Sequence, residues 1–445
     1  MKKFSWLLGL IVLLGMGYLL GLNPIPAPLT GERESKLVAG EMLVQFKPSI
    51  PEAEARRLIE GTGATVKEKI DPQRIFVVSF PRSISAGDML HRLQTMPQVA
   101  HAELHGMYEA LGWDLWVPAE AWAEEPSTTL GAGSKVRVAV IDTAIDSNHT
   151  VLQGKTVEGY NFVSNTTNTQ STGTGVDWHG TASTGRVLDG SGDANVEIMP
   201  VTVLSSGGWG TWANVIKGIN YAVDNGAQII NMSLGGTGYS PLVQEAIDRA
   251  VSKGVVVVAA SGNTGQDMPF YPAAYRGVIS VAATNEAGKA AGFTTYHQSV
   301  DIAAPGATQK VLSHGGFRYS QGTSFAAPFI AGLAAMLKSA FPFLTPIQVE
   351  QTIKAKANNV YDKNGDRYKG KLGAGFLNML DVKKWMDDIR AGRFRFPWQQ
   401  GAVQPPVVQP PPQPQPVRPG QPWLARGKGH SGNYIVTPGG EVVKE

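Results

Sequence analysis

Hydrophobic and polar positions change rhythm several times along the chain. Residues 4–22 form an almost unbroken apolar run behind Lys2 and Lys3. Residues 41–46 then alternate as a half-buried strand does. Residues 51–60 carry proline and acids in what would be a helix's first turn. A second strand over 74–80, a second helix over 85–94 with a Ser85–Asp88 cap, and a strand over 99–104 complete this stretch. The order strand, helix, strand or strands, helix, strand suits a small α+β (ferredoxin-like) unit, and a unit of that size is marginal alone. From residue 135 apolar strands alternate with amphipathic helices: strands over 136–141, 196–204, 227–232, 255–260 and 278–283, helices over 212–225 and 241–253. Continuous apolar strands separated by helices predict an α/β, three-layer domain whose parallel sheet is covered on both faces. Its reactive groups should lie just past the C-terminal ends of strands. A last apolar run, 329–337, reads as a buried helix.

This patterning divides the chain into residues 1–30, 36–110, 111–395, 396–425 and 426–445. In the connector 111–130, Trp113, Trp116 and Trp122 are expected to pack onto a neighbouring domain. Residues 404–422, rich in proline, glutamine and valine, read as a semi-rigid polyproline II spacer. The tail beyond has no assignable fold. At 445 residues several compact units are expected. A net charge of +3 without a basic cluster interleaved with aromatics gives no reason to expect nucleic acid. The absence of cysteine excludes disulfides, thiol catalysis and cysteine metal sites. The basic start before the apolar run predicts export, extracellular or periplasmic. Two readings stay open: a signal cleaved near Gly15-Met16-Gly17, or an uncleaved membrane anchor over 4–22.

Candidate chemistry sits in four places. Ser324, in Gly322-Thr323-Ser324-Phe325-Ala326-Ala327-Pro328, stands at a helix start among small residues. Thr323 can supply the capping hydroxyl, which leaves Ser324 free to be a nucleophile. Asp142 ends the strand 136–141, His179 opens a small-residue helix, and Asn263 follows the strand 255–260. Singly, each reads as readily as a cap, a surface histidine or a turn asparagine.

Together, Asp142-Thr143 with Ile145-Asp146, His179-Gly180-Thr181, Ser233-Leu234-Gly235-Gly236, Gly262-Asn263 and the Ser324 motif resemble the subtilisin-like serine proteases. The aspartate–histidine–serine order is that family's known order. The resemblance covers residues 135–385, and 36–110 is similar to the family's inhibitory propeptide. It implies that Ser324 attacks the scissile carbonyl and that His179 moves the proton. It also implies that Asp142 orients the imidazole and that Asn263, with the Ser324 backbone N–H, holds the oxyanion. Ser233, Leu234, Gly235 and Gly236 on one edge, and Gly208 and Gly210 on the other, would bind an extended peptide by β-augmentation. The first pocket would favour large uncharged side chains.

Three departures follow from the same comparison. Ala144 replaces glycine, so the turn after Asp142 must avoid positive φ or carry strain. Ala182 replaces a second histidine, and Phe325 a frequent methionine. No cofactor is required. The loop 189–195 is shorter than that of the strong calcium site, and 362–366 lacks the glycine and terminal glutamate of an EF-hand loop, so calcium has no clear site. The expectation is an exported endopeptidase made as a zymogen, with its own propeptide as intramolecular inhibitor, polypeptides as substrates, and self-cleavage near 103–111. Its alternatives are a serine-carboxyl peptidase and a catalytically inactive scaffold of the same fold.

Overall fold

The structure, a computed structural model, describes residues 36–115, 133–400, 434–436 and 442–444. The expectations for 1–30, for Trp116 and Trp122, and for the proline-rich spacer lie outside the described residues. The described residues form two compact units, Leu37–His105 with those from Arg395 onward, and Gly106–Phe394 with Lys36.

The smaller unit contains β1 (Leu37–Phe46), α1 (Glu52–Gly61), β2 (Thr65–Ile70), β3 (Ile75–Ser79), α2 (Ala86–Gln94) and the start of β4 (Val99–Ala110). Its strands lie in the order β4-β1-β3-β2, with β3 antiparallel to both β1 and β2. The helices bury Ala55, Ile59, Met89 and Leu93 against Met42, Val44, Phe46, Phe76 and Val78 of the sheet. Ser85 caps α2 as its sequence predicts, accepting from Asp88 N at 3.0 Å. The stretch read as "strand or strands" is the β2–β3 hairpin. β2 is obscured in the sequence by Lys67-Glu68-Lys69 and by a register shift between Val66 and Glu68.

The larger unit begins with the last residues of β4 and continues through β5 (Trp113–Leu115), β6 (Val136–Asp142), β7 (Tyr160–Asn161), α3 (His179–Ser191), β8 (Val196–Thr202) and β9 (Trp209–Thr211). It goes on through α4 (Trp212–Asp224), β10 (Ile229–Met232), β11 (Leu234–Gly235), α5 (Pro241–Ser252), β12 (Val256–Ala260), β13 (Val278–Thr284) and β14 (Ile302–Pro305). The hairpin β15 (Gln309–Ser313) and β16 (Gly316–Gln321) then leads into α6 (Thr323–Ala340), α7 (Pro346–Ala355) and α8 (Met379–Arg390). Seven strands form one parallel sheet in the order β14-β13-β12-β10-β6-β8-β7. The first of them in the chain, β6, lies inside the sheet between β10 and β8, so the winding reverses beside it. The C-terminal ends of β6, β10 and β12 therefore open side by side, where a doubly wound sheet binds ligands. α6 is apolar enough to cross a membrane by length and composition, yet it is 94% buried and serves as the core helix.

Candidate active site

β6 delivers Asp142 and α3 begins at His179, both buried. His179 Nδ1 lies 2.7 Å from Asp142 Oδ1, which also accepts from Thr143 N at 2.6 Å. Ser183 Oγ, one helical turn beyond His179, donates to Asp142 Oδ2 at 2.9 Å. The strand end and helix start are tied together by Gly180 N to Thr143 Oγ1 at 2.8 Å and Asp146 N to Thr181 Oγ1 at 2.8 Å. Ala144 lies outside the left-handed region, so this turn carries alanine without strain. The acceptor at Nδ1 fixes the proton there and leaves Nε2 as the basic nitrogen. Nε2 is buried and, among the described residues, has no hydrogen-bond partner.

Ser324 is the second residue of α6. The cap differs from the expectation: Gly322 occupies the N-cap, without a side-chain cap bond. The Thr323 hydroxyl instead accepts from Gly262 N at 3.2 Å and donates to Asn263 Oδ1 at 2.9 Å. Thr323 is thus committed to orienting Asn263. Since Asn263 Oδ1 also accepts from Thr323 N at 2.9 Å, the amide can face only one way, with Nδ2 outward as donor. Pro328 is the sixth residue of the helix and cannot bond the Ser324 carbonyl four residues back. Ser233 Oγ donates to that carbonyl at 2.9 Å instead.

The chain's own residues 107–115 run through this cleft. Tyr108 pairs with Gly210 and Glu109 with Trp209, while Glu109 also pairs with Gly235 and Ala110 with Leu234. Ala110 N donates to Gly208 O at 2.8 Å and Leu111 N to Ser233 O at 3.3 Å. The Leu111 carbonyl accepts from Asn263 Nδ2 at 2.9 Å and from Ser324 Oγ, which also reaches Ser233 O at 3.1 Å. Gly322, at φ +155°, lies under this carbonyl; a Cβ there would come within 2.4 Å of the oxygen. Gly112 faces the imidazole, and a Cβ on it would lie 3.1 Å from His179 Nε2. Past Gly112, β5 pairs antiparallel with β16, Trp113 opposite Gln321 and Leu115 opposite Tyr319. The structure thus hydrogen-bonds Asp142 to His179 and brings Ser324 and Asn263 onto one carbonyl, with the serine hydroxyl turned to that carbonyl and to Ser233 O. Gly236 pairs with Tyr271 and borders the Tyr108 ring.

A family model described as the subtilase family matches residues 133–375, more than half the chain. The chain belongs to the subtilase family. A second model, the fervidolysin N-terminal prodomain, matches residues 23–105. A thermophilic serine proteinase of Bacillus sp. (strain AK1) is 32% identical over 343 residues, 73% of this chain and 83% of its own. Thermitase of Thermoactinomyces vulgaris is 40% identical over 216 residues, 47% of this chain and 77% of its own. Among solved structures, fervidolysin from Fervidobacterium pennivorans aligns with a TM-score of 0.65 at 22% identity, over 80% of this chain and 62% of that one, a likeness of fold. The protein is a subtilisin-like serine endopeptidase with an N-terminal prodomain.

In this subtilase Phe325 packs between Trp178 and His179, with ring centroids 6.4 and 5.9 Å away, and Ala182 joins the same cluster. In the loop 189–195, Asp189 is paired with Arg186 and Asp193 with Arg390. At 362–366, Asn364 accepts from Ala290 N and donates to Gly288 O. Asp193 Oδ1 is buried without a hydrogen-bond partner among the described residues, and among those residues no group of three or more His, Cys, Asp or Glu side chains is arranged to hold a metal ion. Sequence reasoning passed over Ser183, whose only signal is its spacing of four from His179 on a helix. It also passed over β16, whose pairing with β5 has no local signature.

Proposed function

We propose that this subtilase is an exported zymogen that cuts its own chain between Leu111 and Gly112. One observation carries the reading: a continuous stretch of the protein lies in the cleft as a substrate would, paired on both sides before the bond and along β16 after it, with the Leu111 carbonyl at Ser324 Oγ and Asn263 Nδ2. Backbone pairing of this kind holds a peptide largely without regard to its sequence.

In this reading Ser324 Oγ attacks the Leu111 carbonyl carbon while His179 Nε2 takes the hydroxyl proton. Asp142 keeps the imidazole in the required tautomer and stabilises its cation. The oxyanion is held by Asn263 Nδ2 and the Ser324 backbone N–H. His179 then gives the proton to the Gly112 nitrogen, the C–N bond breaks, and Leu111 remains as an ester on Ser324. Water, deprotonated by His179, releases Leu111 as a carboxylate and restores the serine. Nε2 is the right atom for both transfers, being buried, unpartnered and beside Gly112. Large uncharged residues fit the position of Leu111, which is buried in the cleft.

Export is supported by Lys2 and Lys3 ahead of the apolar run 4–22. Expression of wild type beside Ser324→Ala tests the chemistry. Wild type should shorten by the prodomain and label with a fluorophosphonate, and Ser324→Ala should do neither. Equal shortening of both would remove self-processing; loss of labelling in wild type would favour the inactive scaffold. Accessibility of the protein to external protease on intact cells tests export.

A further inference from the structure

We infer that Arg186 is a positioning residue for the nucleophile: its guanidinium fixes the turn that carries Ser324, and its loss slows turnover without weakening substrate binding. The inference rests on Ser324 being the nucleophile, and it adds a residue that acts on that serine from within the core. Arg186 lies on α3, seven residues and so about two turns after His179. It is only 6% exposed. Burying a guanidinium costs free energy unless good acceptors surround it, and an apolar side chain would fill the same space without that cost.

Three acceptors meet it. Nη1 donates to Asp189 Oδ2 at 2.8 Å on the same helix, which balances the charge. Nε donates to the Phe325 carbonyl at 3.2 Å and Nη2 to the Pro305 carbonyl at 3.3 Å. The guanidinium also lies over the Phe329 ring, 5.2 Å from its centroid. Both carbonyls belong to the frame around Ser324. Phe325 follows it directly. Pro305 ends β14, and the next residue, Gly306, accepts from Gly322 N at 2.9 Å while donating to Thr284 O at 2.8 Å. The fit there is close, since a Cβ on Gly306 would stand 2.6 Å from Gly322 O.

The guanidinium therefore ties both ends of the stretch Gly322–Phe325, one directly and the other through Gly306. Ser324 Oγ and the Ser324 N–H lie between these ends, so their direction follows from them. The support is rigid: one turn beyond Arg186, a Cβ on Gly190 would stand 1.9 Å from Phe329 O, so α3 and α6 touch backbone to backbone. The same helix carries His179 at its start, and Arg186 thus sets the nucleophile against its base. A lysine ammonium keeps the charge but lacks the planar fork that holds both carbonyls.

Wild type, Arg186→Lys and Arg186→Met are matured from the full chain, and their active sites are counted by titration with a fluorophosphonate. Then kcat and KM are measured per titrated site on a peptide anilide ending in leucine. Arg186→Lys should lose about tenfold in kcat with KM within about twofold of wild type, and Arg186→Met should lose at least as much. A merely structural arginine would lower the Tm and the number of titrated sites and leave kcat per site unchanged; that result overturns the proposal. A rise in KM in place of the fall in kcat overturns it too, as does the absence of titratable sites in both variants. Wild type that takes up no fluorophosphonate overturns instead the reading of Ser324 on which the inference rests.

Discussion

Asp142 receives three donors, and the outer oxygen of its carboxylate is set by Ser183. Removing that hydroxyl by Ser183→Ala leaves Oδ2 without this donor, so the carboxylate holds the imidazole less firmly. The expected result is a fall in kcat of about fivefold, from a hydrogen bond of about 1 kcal/mol, with the fold intact by circular dichroism. Asn263→Ala should cost about 10²–10³ in kcat with little change in KM, the magnitude already established for the oxyanion asparagine of subtilisin. In the prodomain, the hydrogen bond from His105 holds Glu41 down to about 2, against the opposing effect of burial and with help from Lys67. A depressed carboxylate stabilises the fold above its ordinary value of 4.5 and loses that contribution as the pH falls toward 2. Thermal unfolding of Glu41→Gln should therefore lie below that of wild type at pH 6, and the gap should close by pH 2.

At the scale of elements, the active-site helix is sustained by a bond that its own sequence cannot make. Pro328 withholds a donor from the Ser324 carbonyl, and Ser233, which follows β10, supplies it. Ser233→Ala should lower stability by about 1–3 kcal/mol, seen as a lower Tm, because a buried carbonyl loses this donor. The β16 edge gives a second expectation. Peptides that end at the residue equivalent to Gly112 should be cut more slowly than peptides continuing through Leu115, because they forgo the β5–β16 pairing. Five of the seven parallel strands were legible in the sequence because burial on both faces makes them read as continuous apolar runs, whereas β7, two half-buried residues, and β14, four residues long, were not read. β5, β9 and β11 were not, since two or three residues carry no periodicity and become strands only through their partners. The Thr323 cap was misread for a related reason. The hydroxyl had two possible uses, and the one adopted depends on Asn263, which is 60 residues away.

For the whole molecule, the four residues proposed to carry the chemistry were read as motifs near strand or helix ends, whereas the bond proposed to be cut was expected only in the neighbourhood of residues 103–111. Leu111 and Ser324 are 213 residues apart, and nothing local to either specifies their meeting. The position follows from a register: β4 is paired with both β9 and β11, and two residues of slippage would present a different carbonyl to Asn263. The most direct test is the exact mass and N-terminal sequence of the matured protein, from a chain expressed with no other protease. The account predicts that its N-terminus begins Gly112-Trp113-Asp114. A matured chain that begins elsewhere in residues 100–120, or an unshortened chain that is nonetheless active, would contradict it.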